Sequence, residues 1–403
     1  MARAEAARRA YDLDLSGKRE ITSANHAAFT SLAIDLVEAR YLLAGAGDGT
    51  ISVFDLHQFG GNPRRRAAIT PLFLAKRGGH THGVSSIAWY THDTGMFFSG
   101  SFDHKVNAWD TNAQRVVCQF EMPLPVYSIS LSPIATRHAL VAAGSGDQKV
   151  RLCDPMTGGS THCLLGHREA ILAVQWSPTN EYLLASASVD KTIRLWDIRR
   201  SGCLLSLDQH NSQTALETNR TLRLKNVSAK GGAPTSVTAH DEPVTSLCWS
   251  PDGLFLYSSG KDNKIHMWNA DTGRNTLVNF AGVKNAAEKG SQMAISSDGQ
   301  VLYHPNGSDI LALEAHTGRT LSLLRGHFDK VNCCVFHPHL QELYSGGNDN
   351  QLLCWVPSMD EAELVEDEAT DEGDERQQSS SAAHTQDVDG DAWSDEEEDE
   401  MDG

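Results

Sequence analysis

Four residue types recur at fixed distances along this chain, and that repetition limits the folds open to it. Histidine, serine, aspartate and tryptophan follow one another at intervals of 19, 4 and 6 residues, or of 18, 4 and 6, in four segments. The four sets are His80, Ser99, Asp103 and Trp109; His167, Ser186, Asp190 and Trp196; His240, Ser258, Asp262 and Trp268; and His327, Ser345, Asp349 and Trp355. A repeat of about 43 residues indicates an array of similar supersecondary units.

Three weaker copies complete the series. The first runs from His26 through Ala44 and Asp48 to Phe54, the second keeps Ala143, Asp147 and Cys153, and the third keeps Leu313 at the tryptophan position. The chain therefore holds seven units. Two longer intervals between units predict insertions, at residues 57–78 and at about 209–236.

Each unit has the pattern of short strands bounded by turns. In the clearest one, the pair Gly166-His167 precedes an alternating segment at 171–176 and a turn at 177–180, with no helical periodicity. A four-stranded unit cannot bury both faces alone, so such units stack around a channel. The pattern resembles the WD repeat and predicts an all-β fold, a seven-bladed WD-repeat β-propeller.

The propeller is predicted at residues 16–357, between an N-terminal arm (1–15) with a short helix and a disordered acidic tail (358–403). Propellers of this kind are usually closed by strands from both chain ends. We therefore expect the segment at 16–21 to pair with the one at 351–356.

Each set of four predicts a hydrogen-bonded relay, because buried polar groups are tolerated only when they are paired. The same residue types also occur in serine hydrolases. Four equivalent copies argue against that alternative, since an active site is needed once. We predict no enzymatic activity and no cofactor. The eight cysteines form no CxxC pair, so no metal site is predicted either.

Acidic charge is concentrated at the C-terminus. The net charge is −18, yet residues 1–357 hold 33 basic and 32 acidic groups. A neutral body is not typical of nucleic-acid-binding domains, which neutralise many phosphates, and no apolar run is long enough to span a membrane.

Within the tail, Trp393 stands among carboxylates. It is a candidate for docking into a basic groove, the alternative being a merely solubilising tail, and Ser394 is a candidate phosphorylation site.

The insertions have plainer interpretations. The first contains the basic run Pro63-Arg64-Arg65-Arg66 and is predicted to be a solvated loop, with a nuclear-localisation or phosphate-contacting loop as the alternative. The second is rich in Asn, Ser, Thr, Lys and Gly and is predicted to be a mobile surface loop.

Irregular stretches outside the repeat motif resemble the Cockayne syndrome group A family. They lie at 89–112, 166–178, 202–211, 275–280, 331–346 and 355–358, and the tail segment 391–394 is similar as well. The resemblance implies a nuclear, non-catalytic substrate receptor of a cullin-4 RING ubiquitin ligase that acts in transcription-coupled nucleotide-excision repair. The implied partners are the ligase adaptor (the large subunit of damaged-DNA-binding protein) and repair factors at stalled RNA polymerase II, including Cockayne syndrome group B protein.

Members of this family hold the adaptor with an N-terminal helical arm and one rim of the propeller. Their W-D-x-R mark falls on Trp196, Asp197 and Arg199, which become the candidate adaptor-binding residues. The arm is shorter than the family pattern, with a single helix expected near residues 2–11. Repair factors are expected on the opposite, wider face, near Phe102, Lys261 and Asn348.

A scaffold of another class remains as the alternative. In that interpretation the acidic tail binds basic proteins, as in histone chaperones or ribosome-assembly factors.

Overall fold

The strands follow the repeats closely. The computed structural model describes residues 9–22, 27–60, 67–75, 79–200, 202–211 and 237–358. In chain order the strands are β1 (Leu13–Leu15), β2 (Arg19–Ile21), β3 (Phe29–Ile34), β4 (Tyr41–Ala46), β5 (Ile51–Asp55), β6 (Ala67–Ile69), β7 (Phe73–Ala75), β8 (Val84–Trp89), β9 (Met96–Ser101), β10 (Lys105–Asp110), β11 (Arg115–Glu121), β12 (Val126–Leu131), β13 (Val141–Ser145), β14 (Lys149–Asp154), β15 (Gly159–Leu165), β16 (Ile171–Trp176), β17 (Leu183–Ser188), β18 (Ile193–Asp197), β19 (Cys203–Ser206), β20 (Val244–Trp249), β21 (Phe255–Gly260), β22 (Ile265–Asn269), β23 (Ala294–Ile295), β24 (Val301–Asn306), β25 (Asp309–Glu314), β26 (Thr320–Arg325), β27 (Val331–Phe336), β28 (Leu343–Gly347) and β29 (Leu352–Pro357).

These strands form seven sheets, antiparallel except for one strand pair at the edge of the last, which we number as blades 1 to 7. Blade 1 is β3-β4-β5-β7, and blades 2, 3 and 4 are β8 to β11, β12 to β15 and β16 to β19. Blade 5 is β20 to β22, blade 6 is β23 to β26, and blade 7 is β27 to β29 with β1 and β2 added. The first strands of neighbouring blades pack side by side around the centre. The predicted seven-bladed β-propeller is confirmed.

Because the strands are antiparallel, each blade has two distinct ends. The loop before the first strand and the turn between the second and third strands lie at one end, which we call the upper face. The turn after the first strand and the end of the third strand lie at the other, the lower face. His80 and Asp103 therefore mark the upper face, and Asp197 marks the lower face.

The N-terminus closes the ring. β1 pairs with β29 from Leu13 opposite Pro357 to Leu15 opposite Trp355, and β2 pairs with it where Ile21 faces Leu352. Pairing thus begins three residues before the segment expected from the sequence, because Leu13 is buried against blades 6 and 7. The boundary that we placed at residue 15 falls inside the closing segment.

The first insertion is not the solvated loop expected from the sequence. It contains a short 3-10 helix (Leu56–Gly60) and two strands. β7 is the fourth strand of blade 1, and β6 pairs in parallel with β2 at the edge of blade 7. Burial of Ile69 and Phe73 explains why this segment folds onto the ring. Its basic residues, at 64–66 and 76–77, lie outside the described residues.

Relays of identical design cross four blades. In blade 2, Trp109 Nε1 donates to Ser99 Oγ at 2.7 Å, Ser99 Oγ lies 2.7 Å from His80 Nε2, and His80 Nδ1 lies 3.0 Å from Asp103 Oδ2. The three links of the sets beginning at His167, His240 and His327 measure between 2.7 and 3.1 Å. The structure thus brings together all four predicted sets, and the serine hydroxyls are buried.

Burial also sets the protonation of the relays. It lowers the pKa of His80, His167 and His327 below the usual 6.5, so these imidazoles are neutral near pH 7. A neutral ring donates from one nitrogen and accepts at the other. The relay therefore runs in one direction, from the indole to the serine, the imidazole and the carboxylate.

Glycine permits the blades to approach one another. A Cβ on Gly100 of β9 would lie 2.8 Å from Val126 Cγ1 in the next blade, and one on Gly346 of β28 would lie 2.7 Å from Phe29 Cβ. Tryptophan side chains also join blades, since Trp89 Nε1 donates to the Ala33 carbonyl oxygen and Trp176 Nε1 to that of Ser130. Neighbouring sheets are therefore held by both close packing and polar contacts.

We expect Ser99→Ala to lower the free energy of unfolding by about 1–3 kcal/mol, because it leaves buried groups of Trp109 and His80 without their partner. Urea unfolding measures the loss. The matched control is Ser308→Ala, in an exposed turn of blade 6, with an expected change within about 0.5 kcal/mol. Equal losses for the two variants would contradict the relay as a source of stability.

The closing strand supplies a second test. The Arg19 guanidinium forms an ion pair with the buried carboxylate of Glu342, which also accepts a hydrogen bond from Tyr344 Oη. Removing one member of a fully buried pair costs about 3–5 kcal/mol. Since the Arg19 side chain is 31% exposed, we expect a loss of about 2 kcal/mol for Arg19→Ala.

The control for that variant is a double-mutant cycle with Glu342→Gln, measured by urea unfolding. If the unpaired charge causes the loss, Arg19→Ala costs less when Glu342 is already neutral. The same cost in both backgrounds would assign the loss to packing of the Arg19 side chain instead.

Candidate interaction site

Arg199 is fixed in place on the lower face. Its Nε and Nη2 donate to the two carboxylate oxygens of Asp197 at 3.0 and 2.9 Å, and its guanidinium lies over the Tyr182 ring, 4.3 Å from the centroid. The hydrogen bonds from Arg199 hold the pKa of Asp197 below its usual value. The Arg199 side chain is still 57% exposed. A partner would therefore meet a charged group that is already oriented.

The two companions of Arg199 in the W-D-x-R mark have other positions. Trp196 is fully buried, and its indole donates to Ser186 in the relay, so a partner cannot touch it without unfolding blade 4. This corrects its assignment as an adaptor contact. Asp197 is 7% exposed and acts on a partner only by orienting Arg199.

A similar arginine lies on the same face in blade 1. Arg40 donates from Nε and Nη2 to Asp55 at 2.9 and 2.6 Å, and its guanidinium lies 5.1 Å from the centroid of the Tyr41 ring. The carboxylate is again the last residue of the third strand, directly after a buried aromatic residue. Arg40 comes from the turn after the first strand, whereas Arg199 follows the third, so sequence spacing alone does not relate them.

Several exposed apolar side chains lie on the lower face. They belong to the turns after the first strands of blades 1, 3, 5 and 7. The residues are Leu36, Val37, Ile134, Leu254 and Leu340. They add apolar surface to this face that a protein partner could bury.

A segment from blade 6 crosses the channel, and we call residues 285–292 the plug segment. Gln292 Nε2 donates to the Leu32 carbonyl oxygen at 2.7 Å, and Leu32 N donates back to Gln292 Oε1 at 3.0 Å, which ties the segment to blade 1. Asn285 Nδ2 donates to Thr245 Oγ1 and the Gly260 carbonyl oxygen, in blade 5. The segment thus spans the ring.

The plug segment divides the channel into two cavities. The upper cavity is about 470 Å³ and the lower about 480 Å³, and Gly290 and Ser291 line both. At Gly290 the chain passes so close to blade 4 that an added Cβ would lie 3.0 Å from the Leu172 carbonyl oxygen. Sequence reasoning missed this segment; its signal was a long stretch between repeats without strand alternation.

The upper cavity gathers the residues suggested for that face. Phe102 and Asn348 line it, and Lys261 Nζ donates to the Glu288 carbonyl oxygen of the plug segment. Lys289 Nζ lies 3.7 Å from the centroid of the Phe102 ring. The sequence placed three of these residues on one face, and the structure brings them to one opening.

Other candidates are placed as follows. Ala44, Asp48 and Phe54 occupy the relay positions of blade 1, and Ala143, Asp147 and Cys153 those of blade 3; Cys153, Phe54 and Leu313 are fully buried. In blade 6, His304 takes the serine position and its Nε2 lies 2.8 Å from Ser259 Oγ of blade 5. His26, Trp393 and Ser394 lie outside the described residues.

One group among the described residues has the ligand types of a metal site. Atoms of His240, Asp262 and His266 lie within 4.8 Å of one another. Both ring nitrogens of His240 are already engaged, by Asp262 and Ser258. The relay therefore already uses the ring nitrogens of His240 that a metal ion would need as ligands. Nowhere in the described ranges does a helix have the length and apolar character needed to cross a membrane.

Comparison with known proteins agrees with this architecture. The family described as WD domain, G-beta repeat matches residues 73–110, 158–197, 232–269 and 318–355, the segments that hold the four relays. WD repeat-containing protein ATCSA-1 of Arabidopsis thaliana is 36% identical over 91% of this chain and 94% of its own length.

More distant relatives cover less of the chain. Radiation-sensitive protein 28 of Saccharomyces cerevisiae is 27% identical over 53% of this chain and 42% of its own length. Ribosome biogenesis protein WDR12 homolog of Chlamydomonas reinhardtii is 34% identical over 34% of this chain and 31% of its own length. Since only the first of these similarities runs through nearly all of both proteins, the chain belongs to the family of WD-repeat proteins that includes ATCSA-1.

Proposed function

We propose that this protein is the substrate-recognition subunit of a cullin-4 RING ubiquitin ligase that acts in transcription-coupled nucleotide-excision repair in the nucleus. The observation that carries the proposal is the oriented, exposed guanidinium of Arg199 at the W-D-x-R position. The similarity to ATCSA-1 over nearly the whole chain supports it, as does the resemblance of the irregular stretches to the Cockayne syndrome group A family.

The lower face has the composition that an adaptor contact requires. Arg199 offers two parallel N–H groups to a carboxylate or to carbonyl oxygens. Apolar surface to bury is supplied by the exposed side chains of Leu36, Val37, Ile134, Leu254 and Leu340. Because Asp197 and Tyr182 already hold the guanidinium, little side-chain entropy is lost on binding.

The root of the N-terminal arm is well placed to assist. Residues 9–11 are helical, Ala10 is buried against blades 6 and 7, and Tyr303 Oη donates to the Ala10 carbonyl oxygen. An adaptor that binds the arm would therefore bind a segment that is packed directly against the propeller. Residues 1–8, where the rest of the predicted helix lies, are outside the described residues.

The proposed role requires no chemistry from this chain. WD-repeat propellers are generally non-catalytic scaffolds, and here the serine, histidine and aspartate side chains that resemble a hydrolase triad are buried in four copies. Ubiquitin transfer would occur on other subunits. This subunit would raise the effective concentration of substrate lysines near the ligase by holding both partners.

A ribosome-assembly scaffold is the second candidate. Relatives named as ribosome biogenesis proteins match one third to one half of this chain, and the acidic C-terminal segment would attract basic proteins. The first candidate would instead bind the cullin-4 adaptor and repair factors such as Cockayne syndrome group B protein.

We expect Arg199→Ala to weaken adaptor binding about 30-fold in calorimetry, since truncation of an interfacial arginine anchor typically costs about 2 kcal/mol or more. Arg199→Lys should recover only part of this, because an ammonium cannot make the two parallel bonds. Arg168→Ala, at an exposed arginine on the upper face of the same blade, is the matched control, with unchanged affinity expected. Equal affinities for wild type and Arg199→Ala would remove Arg199 from the interface.

Affinity capture separates the two candidates. From nuclear extract, the full chain should recover the cullin-4 adaptor, and deletion of residues 359–403 should leave that recovery unchanged. If the chain instead recovers ribosomal proteins or histones, and loses them with the deletion, the scaffold role replaces the receptor role.

A further inference from the structure

The upper cavity has the features of a site for an aromatic side chain flanked by carboxylates. Phe102 and Tyr127 meet edge to face on one wall, with centroids 5.9 Å apart. Lys289 and Lys330 are exposed at the opening. A cavity of about 470 Å³ accommodates an indole, and lysines at its edge attract acidic neighbours.

The floor of this cavity is held in place by hydrogen bonds to several blades. The plug segment forms it: Asn285 and Ser291 bond to blade 5, and Gln292 bonds to blades 7 and 1. At the exposed rim, Lys330 Nζ lies 3.9 Å from Glu288 Oε1, and Lys261 Nζ donates to the Glu288 carbonyl oxygen. A preformed pocket loses little entropy when it is filled.

The geometry points to one occupant, which is the chain's own acidic tail, with Trp393 in the upper cavity. Its neighbours Asp391, Asp395 and Glu396 supply the carboxylates. Docking would shield the cavity from other partners until they displace the tail. Docking of the tail involves the upper face only and is therefore independent of adaptor binding on the lower face.

The tail is long enough to reach the cavity. Ser358 follows β29 at the lower face, held by Asp12 through Ser358 N and Oγ at 3.0 and 2.7 Å. A six-residue strand spans about 20 Å from one face to the other. The 35 residues from Ser358 to Trp393 have a root-mean-square span of about 30 Å as a flexible chain and extend to about 115 Å at most. The route around the edge therefore needs no strain.

Tryptophan fluorescence provides a direct test in the full chain. The protein has eight tryptophans, and the other seven are at most 6% exposed. Quenching by neutral acrylamide that disappears in Trp393→Phe therefore reports Trp393. We expect it to be weak in the wild type and to rise severalfold in Lys289→Glu and in Phe102→Ala. Lys149→Glu, the same charge reversal at an exposed lysine that begins β14 in blade 3, should leave it unchanged.

A peptide of residues 385–403 added in trans gives the second measurement. It should bind full-chain Trp393→Ala about tenfold more tightly than the wild type, where the tethered tail competes at high effective concentration. Thermal unfolding verifies that each variant is folded.

Three outcomes would overturn the inference. Quenching of Trp393 that is equally strong in wild type and Lys289→Glu would mean that the tail is free. Shielding that persists in both cavity variants would place the tail elsewhere. Shielding that depends on protein concentration would assign the cavity to the tail of a second copy.

Discussion

A buried serine hydroxyl that accepts one hydrogen bond and donates another is the element on which this propeller depends. In blade 2, Ser99 joins Trp109 on the third strand to His80 in the loop before the first, and Asp103 then holds His80 to the turn between the middle strands. Each link pairs a polar group that would otherwise be buried without a partner. Removing one link therefore leaves its partner group unpaired and destabilises the blade. Four blades repeat this design, and burial lowers the pKa of His80, His167 and His327, which favours the neutral imidazole that the design requires.

The sequence predicted what repeats and missed what does not. Fixed spacing located the four relays and the number of blades, because each relay needs the same residue types at the same offsets. It gave no warning that Ile69 and Phe73 would fold a presumed loop into two strands, since a three-residue strand leaves too short an alternation to recognise. Arg199 was found by its motif, whereas its support from Tyr182, 17 residues earlier, is a tertiary contact without a local signal.

Blades that lost the relay have replaced it in different ways. In blade 6, His304 occupies the serine position, and its Nε2 reaches Ser259 of blade 5 instead of a tryptophan of its own blade. Ser259 Oγ also accepts from Asn285 of the plug segment. The hydrogen bond that lies within a blade in the four relays thus lies between two blades here. Blade 6, which lacks the repeated residues, is also the blade that the plug segment precedes. A plug needs such an anchor, because a chain crossing an open channel has few neighbours of its own.

Closure links the stability of the ring to both proposed interaction faces. The strand pairing of β1 with β29 fixes the N-terminal arm and the root of the C-terminal tail to each other, since Asp12 holds Ser358. The arm takes part in the proposed adaptor contact, and the tail in the proposed docking into the upper cavity. Both extensions therefore leave the propeller from one sheet, blade 7, whose buried Glu342 depends on Arg19 of the closing segment for its charge balance. A partner that strains the arm acts first on this sheet, because no other blade is assembled from two distant parts of the chain within the residues that the structure describes.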